Sequence, residues 1–333
     1  MPEIWLPKFE EIKLMEDNIN VYIASCTEKG GIYHYKTHNG NLVFVDKTEM
    51  DRPMYMVMSK YKMYVLLRET FENKESGVIV YDIDADGKLI NPSEVMTTKG
   101  EVACHLMVDG NSIYCTNYIS GSVIKMPDTL EVHNGHSIHP SRQNAPHPHY
   151  VCESPDNQYI FVSDLGMDKI FIYNKDLTLC GATDMPAGHG PRHLACHPDG
   201  KTVYCANELL STVSILEYKL GTLTVKDTVS TLPLDYDGDS TVAAIRYSNG
   251  KIYVTNRGHN SITVFNEDMV AEKWIPCGGD EPRDIWVLND VIICTNQFSN
   301  KVCFIRVADG SIIYEVDMEM PLCVCCSSNI IIS

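Results

Sequence analysis

His149, Glu208, Arg192 and Arg257 supply an imidazole, a carboxylate and two guanidiniums, the parts that acid–base chemistry on an anionic substrate requires. Only eight arginines occur in the 333 residues. Four of them, Arg68, Arg192, Arg257 and Arg283, fall in two recurring sequence positions. In a chain of net charge −17, that concentration implies recognition of a carboxylate or phosphate, which the planar fork of Arg suits. His105 and His193 stand at the same kind of position, and Arg142, in a long segment without strand pattern, is expected to reach the same mouth. The candidate catalytic residues are therefore His149, Glu208, Arg192 and Arg257. The candidate substrate-binding residues are Arg68, His105, Arg142, His193 and Arg283.

Other chemistries find no support in the residues. His133, His136, His139 and His147 invite a metal reading, but their spacing fits no standard zinc site and no Asp/Glu cluster accompanies them. No metal and no cofactor is expected. A nucleophile elbow, a phosphate-cradling Gly loop and a dinucleotide fingerprint are all missing.

The elements that must position these groups are strands. From Gly190 to Tyr218 the chain reads as three short period-2 runs separated by turn residues, among them Pro198-Asp199-Gly200. Val203–Glu208 has echoes beginning at Val21, Met63, Ile113, Ile160, Ile252 and Ile292. The slot of Asn207 is filled in turn by Ser25, Leu67, Asn117, Asp164, Asn256 and Asn296, at intervals of roughly 40–50 residues. All-strand repeats of that length predict an all-β, seven-bladed β-propeller with four-stranded antiparallel blades. The predicted blades span about 18–46, 53–90, 101–130, 149–180, 190–225, 241–275 and 282–317. The first copy lacks its leading strand, which residues 321–332 are expected to supply, so that the N- and C-terminal segments share blade one and no sheet edge is left open.

In such a blade the start of strand one and the end of strand two share a face near the central channel. Strand-one starts hold His105, His149, His193 and Asp284, with Arg192 and Arg283 one residue earlier; strand-two ends hold Arg68, Tyr118, Glu208, Arg257 and Gln297. The Asn residues of the repeat slot are read as satisfying turn backbone.

Composition sets the surroundings. With 44% hydrophobic and 21% charged residues the chain is that of a folded globular protein, read as one domain over residues 1–333 without an internal linker. Residues 1–17 read as a short leader with neither the basic nor the apolar region of a signal peptide, and no apolar run approaches membrane length. Thirteen Cys, an odd number, many inside predicted strands, fit reduced thiols packed as small hydrophobes in a cytoplasmic protein; Cys323 and Cys326, though spaced as CxxC, are read the same way. The acidic balance argues against nucleic acid or anionic membrane as a partner.

The stretches RQNAPHPHYV (142–151), SDLGMDKIFIYN (163–174), GPRHLACHPDGKTVYCANEL (190–209), NRGHNSITVF (256–265) and EPRDIWV (281–287) resemble the lactonase family of seven-bladed propellers, with NYISGSVIKMP (117–127) a looser match. That family includes propeller-type 6-phosphogluconolactonases and carboxy-cis,cis-muconate cyclases. The resemblance implies an active site on His149, Arg192, Glu208 and Arg257. It also implies metal-independent hydrolysis of a sugar lactone, 6-phosphogluconolactone or a related anionic lactone. Two rivals stay open: a lactonising cyclase acting on a dicarboxylate, and a propeller that binds a sugar acid or a protein without turnover. Oligomeric state is not legible in the residues.

Overall fold

The structure, a computed structural model, describes residues 17–327; residues 1–16, nearly all of the leader, and residues 328–333 lie outside it. Seven antiparallel sheets follow one another along the chain. Blade four runs Pro148–Glu153, Tyr159–Asp164, Lys169–Asn174 and Leu179–Asp184. Blade five runs Pro191–Cys196, Thr202–Asn207, Thr212–Lys219 and Thr222–Ser230. Blades three (103–132), six (241–276) and seven (282–317) have the same plan. The first strands touch one another in sequence right round the ring, from Pro321–Cys326 through Pro53–Ser59 to Pro282–Leu288 and back.

Period-2 alternation works here because each blade is packed on both faces. In blade five, Val203 and Cys205 point into the core shared with blade four, while Tyr204 and Ala206 point into the core shared with blade six. One such cluster lies between every pair of neighbouring blades. Second strands are accordingly buried almost throughout, and fourth strands are largely exposed. The repeat-slot Asn side chains do not bond turn backbone as expected but tie strands together: Asn117 donates to the Thr98 carbonyl of the neighbouring blade and to the Ser122 hydroxyl, and Asn207 to the hydroxyls of Thr212 and Ser214.

Closure is as the sequence predicts over the described residues. Pro321–Cys326 pairs with Asn20–Ser25, Val21 lying opposite Cys326 and Ala24 opposite Cys323, and Gly31–His38 and Asn41–Glu49 complete blade one. Blade two differs from expectation. It does not end near 90: its third strand, Glu75–Ile83, pairs with both Leu89–Ile90 and Met96–Glu101, so the outer strand is broken in two and extends to 101. Pro92 explains the break, since it has no N–H to offer a ladder. Ser93 bridges the gap instead, its N–H donating to the Val80 carbonyl and its Oγ accepting from the Val80 N–H.

Candidate functional site

The register of the first strands decides which side chains meet. In blade four Pro148 pairs with Asp164 and Tyr150 with Ser163, leaving His149 as the extra residue of a β-bulge. Blade five repeats this with Pro191–Asn207 and His193–Ala206, leaving Arg192, and blade seven with Pro282–Asn296 and Asp284–Thr295, leaving Arg283. Cys104, Met54 and Leu322 are the extra residues of blades three, two and one. His149, Arg192 and Arg283 are thus equivalent, and His193 matches His105, Tyr150 and Asp284 one rung deeper. The sequence alignment that paired His149 with His193 is off by one residue. A signal existed for the correct frame: five of the seven first strands open with Pro, and the residue after each Pro is the bulged one. Bulges of this kind re-aim side chains beside functional sites.

The bulged residues of blades two, three, four and seven and the residues at the ends of the second strands of blades two, three, five and six enclose a front cavity of about 310 Å³ at one mouth of the channel. Its wall includes Arg68, Arg142, His149, Glu208, Arg257 and Arg283, together with Tyr118, Cys104 and Met54. Three other candidates lie deeper. Arg192 and His193 sit below this wall, beside a narrow cleft of about 20 Å³. His105 is packed between Tyr55 and Tyr150, with ring centroids 4.4 and 3.9 Å away. That aromatic layer separates the cavity from a second one, of about 360 Å³, at the opposite mouth.

Glu208 is the hub. Its Oε2 accepts from Arg192 Nε at 2.9 Å; its Oε1 accepts from Arg142 Nη2 at 2.5 Å and lies 3.2 Å from Arg257 Nη2. The carboxylate is only 3% exposed. Burial alone would push its pKa up, but Arg257, Arg192 and Arg142 outweigh burial and hold it well below the carboxylate range. Backbone bonds fix its place: its N–H donates to the Gly190 carbonyl at 2.7 Å, and its carbonyl accepts from the Val242 N–H at 3.1 Å. Gly190 itself has φ +67, and a Cβ there would come within 2.7 Å of Leu209 Cγ, so this turn calls for glycine. Asp168 clamps the same turn through the N–H groups of Gly188 and Gly190.

The arginines have further anchors. Arg192 Nη1 donates to the Ala243 carbonyl at 2.6 Å and to His193 Nε2 at 2.8 Å, so His193 is a neutral acceptor there. Arg257 donates to the Val242 carbonyl and pairs with Glu281 at 3.3 Å. Burial, then the charge of Arg192, keeps His149 well below the ordinary imidazole value. Its Nδ1 is buried without a hydrogen-bond partner.

The long 133–147 segment has a clear structural purpose. His133 bridges Asp164 (2.6 Å) and Tyr173 (2.7 Å), the His147 N–H donates to Asp164, and Gln143 donates to the Leu165 carbonyl. These bonds lay the segment over blades three and four and carry Arg142 to Glu208. His133 and His147 act as struts, and among the described residues no group of three or more His, Cys, Asp or Glu is placed to hold a metal ion. No helix among them is long and apolar enough to cross a membrane.

The chain is thus a seven-bladed propeller with an Arg-rich pocket at one mouth. Residues 20–325 match the family described as lactonase, 7-bladed beta-propeller, and the chain belongs to that family. A Staphylococcus epidermidis protein described only as uncharacterized is 30% identical over 307 residues, 83% of this chain and 89% of the relative. A Lactobacillus plantarum crystal structure superposes with a TM-score of 0.83 at 26% identity, covering 94% of this chain and all of that one. The periplasmic gluconolactonase of Pseudomonas aeruginosa does so with a TM-score of 0.83 at 22% identity, over 93% of this chain and 99% of that one, a likeness of fold.

Proposed function

We propose that the protein hydrolyses a sugar lactone at the Glu208 end of the front cavity, without metal. The family supports lactone chemistry, and one observation carries the assignment of roles: the Glu208 carboxylate has three guanidiniums on it, while neutral His149 shares its cavity wall. A carboxylate so occupied is a weak proton acceptor. His149, held neutral by burial and Arg192, is the base. It takes a proton from the water that attacks the lactone carbonyl, and returns that proton to the alkoxide released as the ring opens. Arg257, with Arg142 beside it, faces the oxyanion formed on the way. Glu208 stays ionised and fixes both guanidiniums. The thiols fit a reducing compartment such as the cytoplasm, since all thirteen Cys are free and most are buried.

The test is a pH-stat screen of five- and six-membered sugar lactones, with and without phosphate, following acid release. Turnover above the spontaneous rate that is lost in His149→Asn supports the reading. Isomerisation of an unsaturated dicarboxylate without acid release would point to a cyclase, and sugar-acid binding with no turnover to a binding protein.

A further inference from the structure

The four guanidiniums that line the front cavity, with Arg192 just below it, fall into two groups. Arg142, Arg192 and Arg257 converge on Glu208, from blades five and six and the long segment before blade four. Arg68 and Arg283 make no side-chain hydrogen bond or ion pair among the described residues, and Arg68 Nε is buried without a partner. Both are only partly buried and both line the cavity.

Their position in the ring gives this pair a purpose. Arg68 follows the second strand of blade two, and Arg283 is the bulged residue of blade seven. These blades flank blade one, whose own equivalents are Cys26 and Leu322, members of an apolar cluster with Met54 and Cys104. Two cations therefore stand on either side of an apolar floor, and Cys26 lies close enough for both charges to act on its thiol. Burial weighs on the charge of Arg283, and Arg257 and Arg68 add like-charge repulsion that Glu208 only partly offsets. A guanidinium in a half-closed pocket without an acceptor is a poor resting arrangement, and an incoming anion relieves it.

We infer that Arg68 and Arg283 form an anion subsite, separate from the Glu208 cluster, that receives a carboxylate or phosphate at the end of the ligand remote from the reacting group. The inference rests on the proposed reading of the Glu208 end as the reacting end. It narrows anion recognition from the four arginines that the sequence offered to Arg68 and Arg283, because Arg192 and Arg257 already have a carboxylate and backbone carbonyls. The group held there is the anionic tail of the lactone that the family resemblance already implies; what is new is the place that holds it.

Isothermal titration of the full-length protein with inorganic phosphate, and separately with acetate, tests this without any lactone. Wild type should bind one of them, and the tighter binder names the tail. Arg68→Met and Arg283→Met should each weaken that binding at least tenfold, with Arg68→Lys and Arg283→Lys regaining part of it. Melting curves of the four variants identify those that are folded, and the Lys pair serves if the Met pair is not. Unchanged binding in both folded Met variants, loss in Arg257→Met but in neither of them, or no binding of either anion to wild type overturns the subsite. Failure to hydrolyse any lactone would sink the proposed activity and leave the titration result standing.

Discussion

Blade five presents Arg192 in the bulge of its first strand and Glu208 just past its second, whereas blade one presents Leu322 and Cys26 at the same two positions. The strand plan is the same and the bulge is the same. Blade five places its charges against partners from blade six, from the Ala243 carbonyl to Arg257. Blade one contributes the joint between the two ends of the chain and a dry floor under the cavity. The repeat thus fixes where a side chain points and leaves open what it is, so chemistry can concentrate on blades four to six while another blade closes the ring.

The largest effect that would break this comparison is loss of the joint. Ending the chain at Met320 removes Pro321–Cys326, including Leu322 and Val324, 4% and 1% exposed. Burial of those two side chains alone contributes roughly 3–6 kcal/mol, a large part of the ~5–15 kcal/mol by which domains are stable. The truncated chain should not fold cooperatively, as read by circular dichroism on heating. A melt within a degree or two of full length would show that blade one is not the joint.

Next comes Glu208→Gln. Gln keeps the shape of Glu, but three guanidiniums lose the buried carboxylate they share, and only Arg257 keeps another, Glu281. Stability should fall by about 3–5 kcal/mol, and kcat by about 10²–10⁴-fold. A folded variant with normal turnover would remove Glu208 from the centre of blade five's role.

His149→Asn should cut kcat by a similar ~10²–10⁴-fold with little change in Tm, since no hydrogen bond of His149 Nδ1 is lost. The pH dependence follows from the same group. His149, His193 and His105 all have folded pKa values well below 6.5, so the unfolded chain binds more protons and stability drops as pH falls below about 6.5. Turnover, needing neutral His149, should stay flat above pH 6.5 and fall only on the acid side. An acid limb centred above 6.5 would assign the base elsewhere. The smallest effect belongs to blade one: Cys26→Ser should cost about 1 kcal/mol in a denaturant melt and leave kcat within about twofold. A hundredfold loss there would mean that blade one does chemistry after all.

The period-2 runs, the seven slots and the missing first strand of blade one determined the ring and its closure, because strand pattern and repeat length are local properties. They also placed Arg68, Glu208 and Arg257 at the end of strand two, where pairing is regular and counting residues suffices. Counting failed at strand one. A bulge inserts a residue that no hydrophobic pattern marks, so Arg192 and His149 became equivalent only when their pairing with strand two was seen. The broken outer strand of blade two was hidden for a related reason, since Pro92 ends one pairing without saying that Met96–Glu101 resumes it. Only the tertiary structure decided which arginines are occupied. Glu208 draws partners from blade five, blade six and the long segment before blade four, residues far apart in sequence, and the field at a buried carboxylate is set by distance through space rather than along the chain.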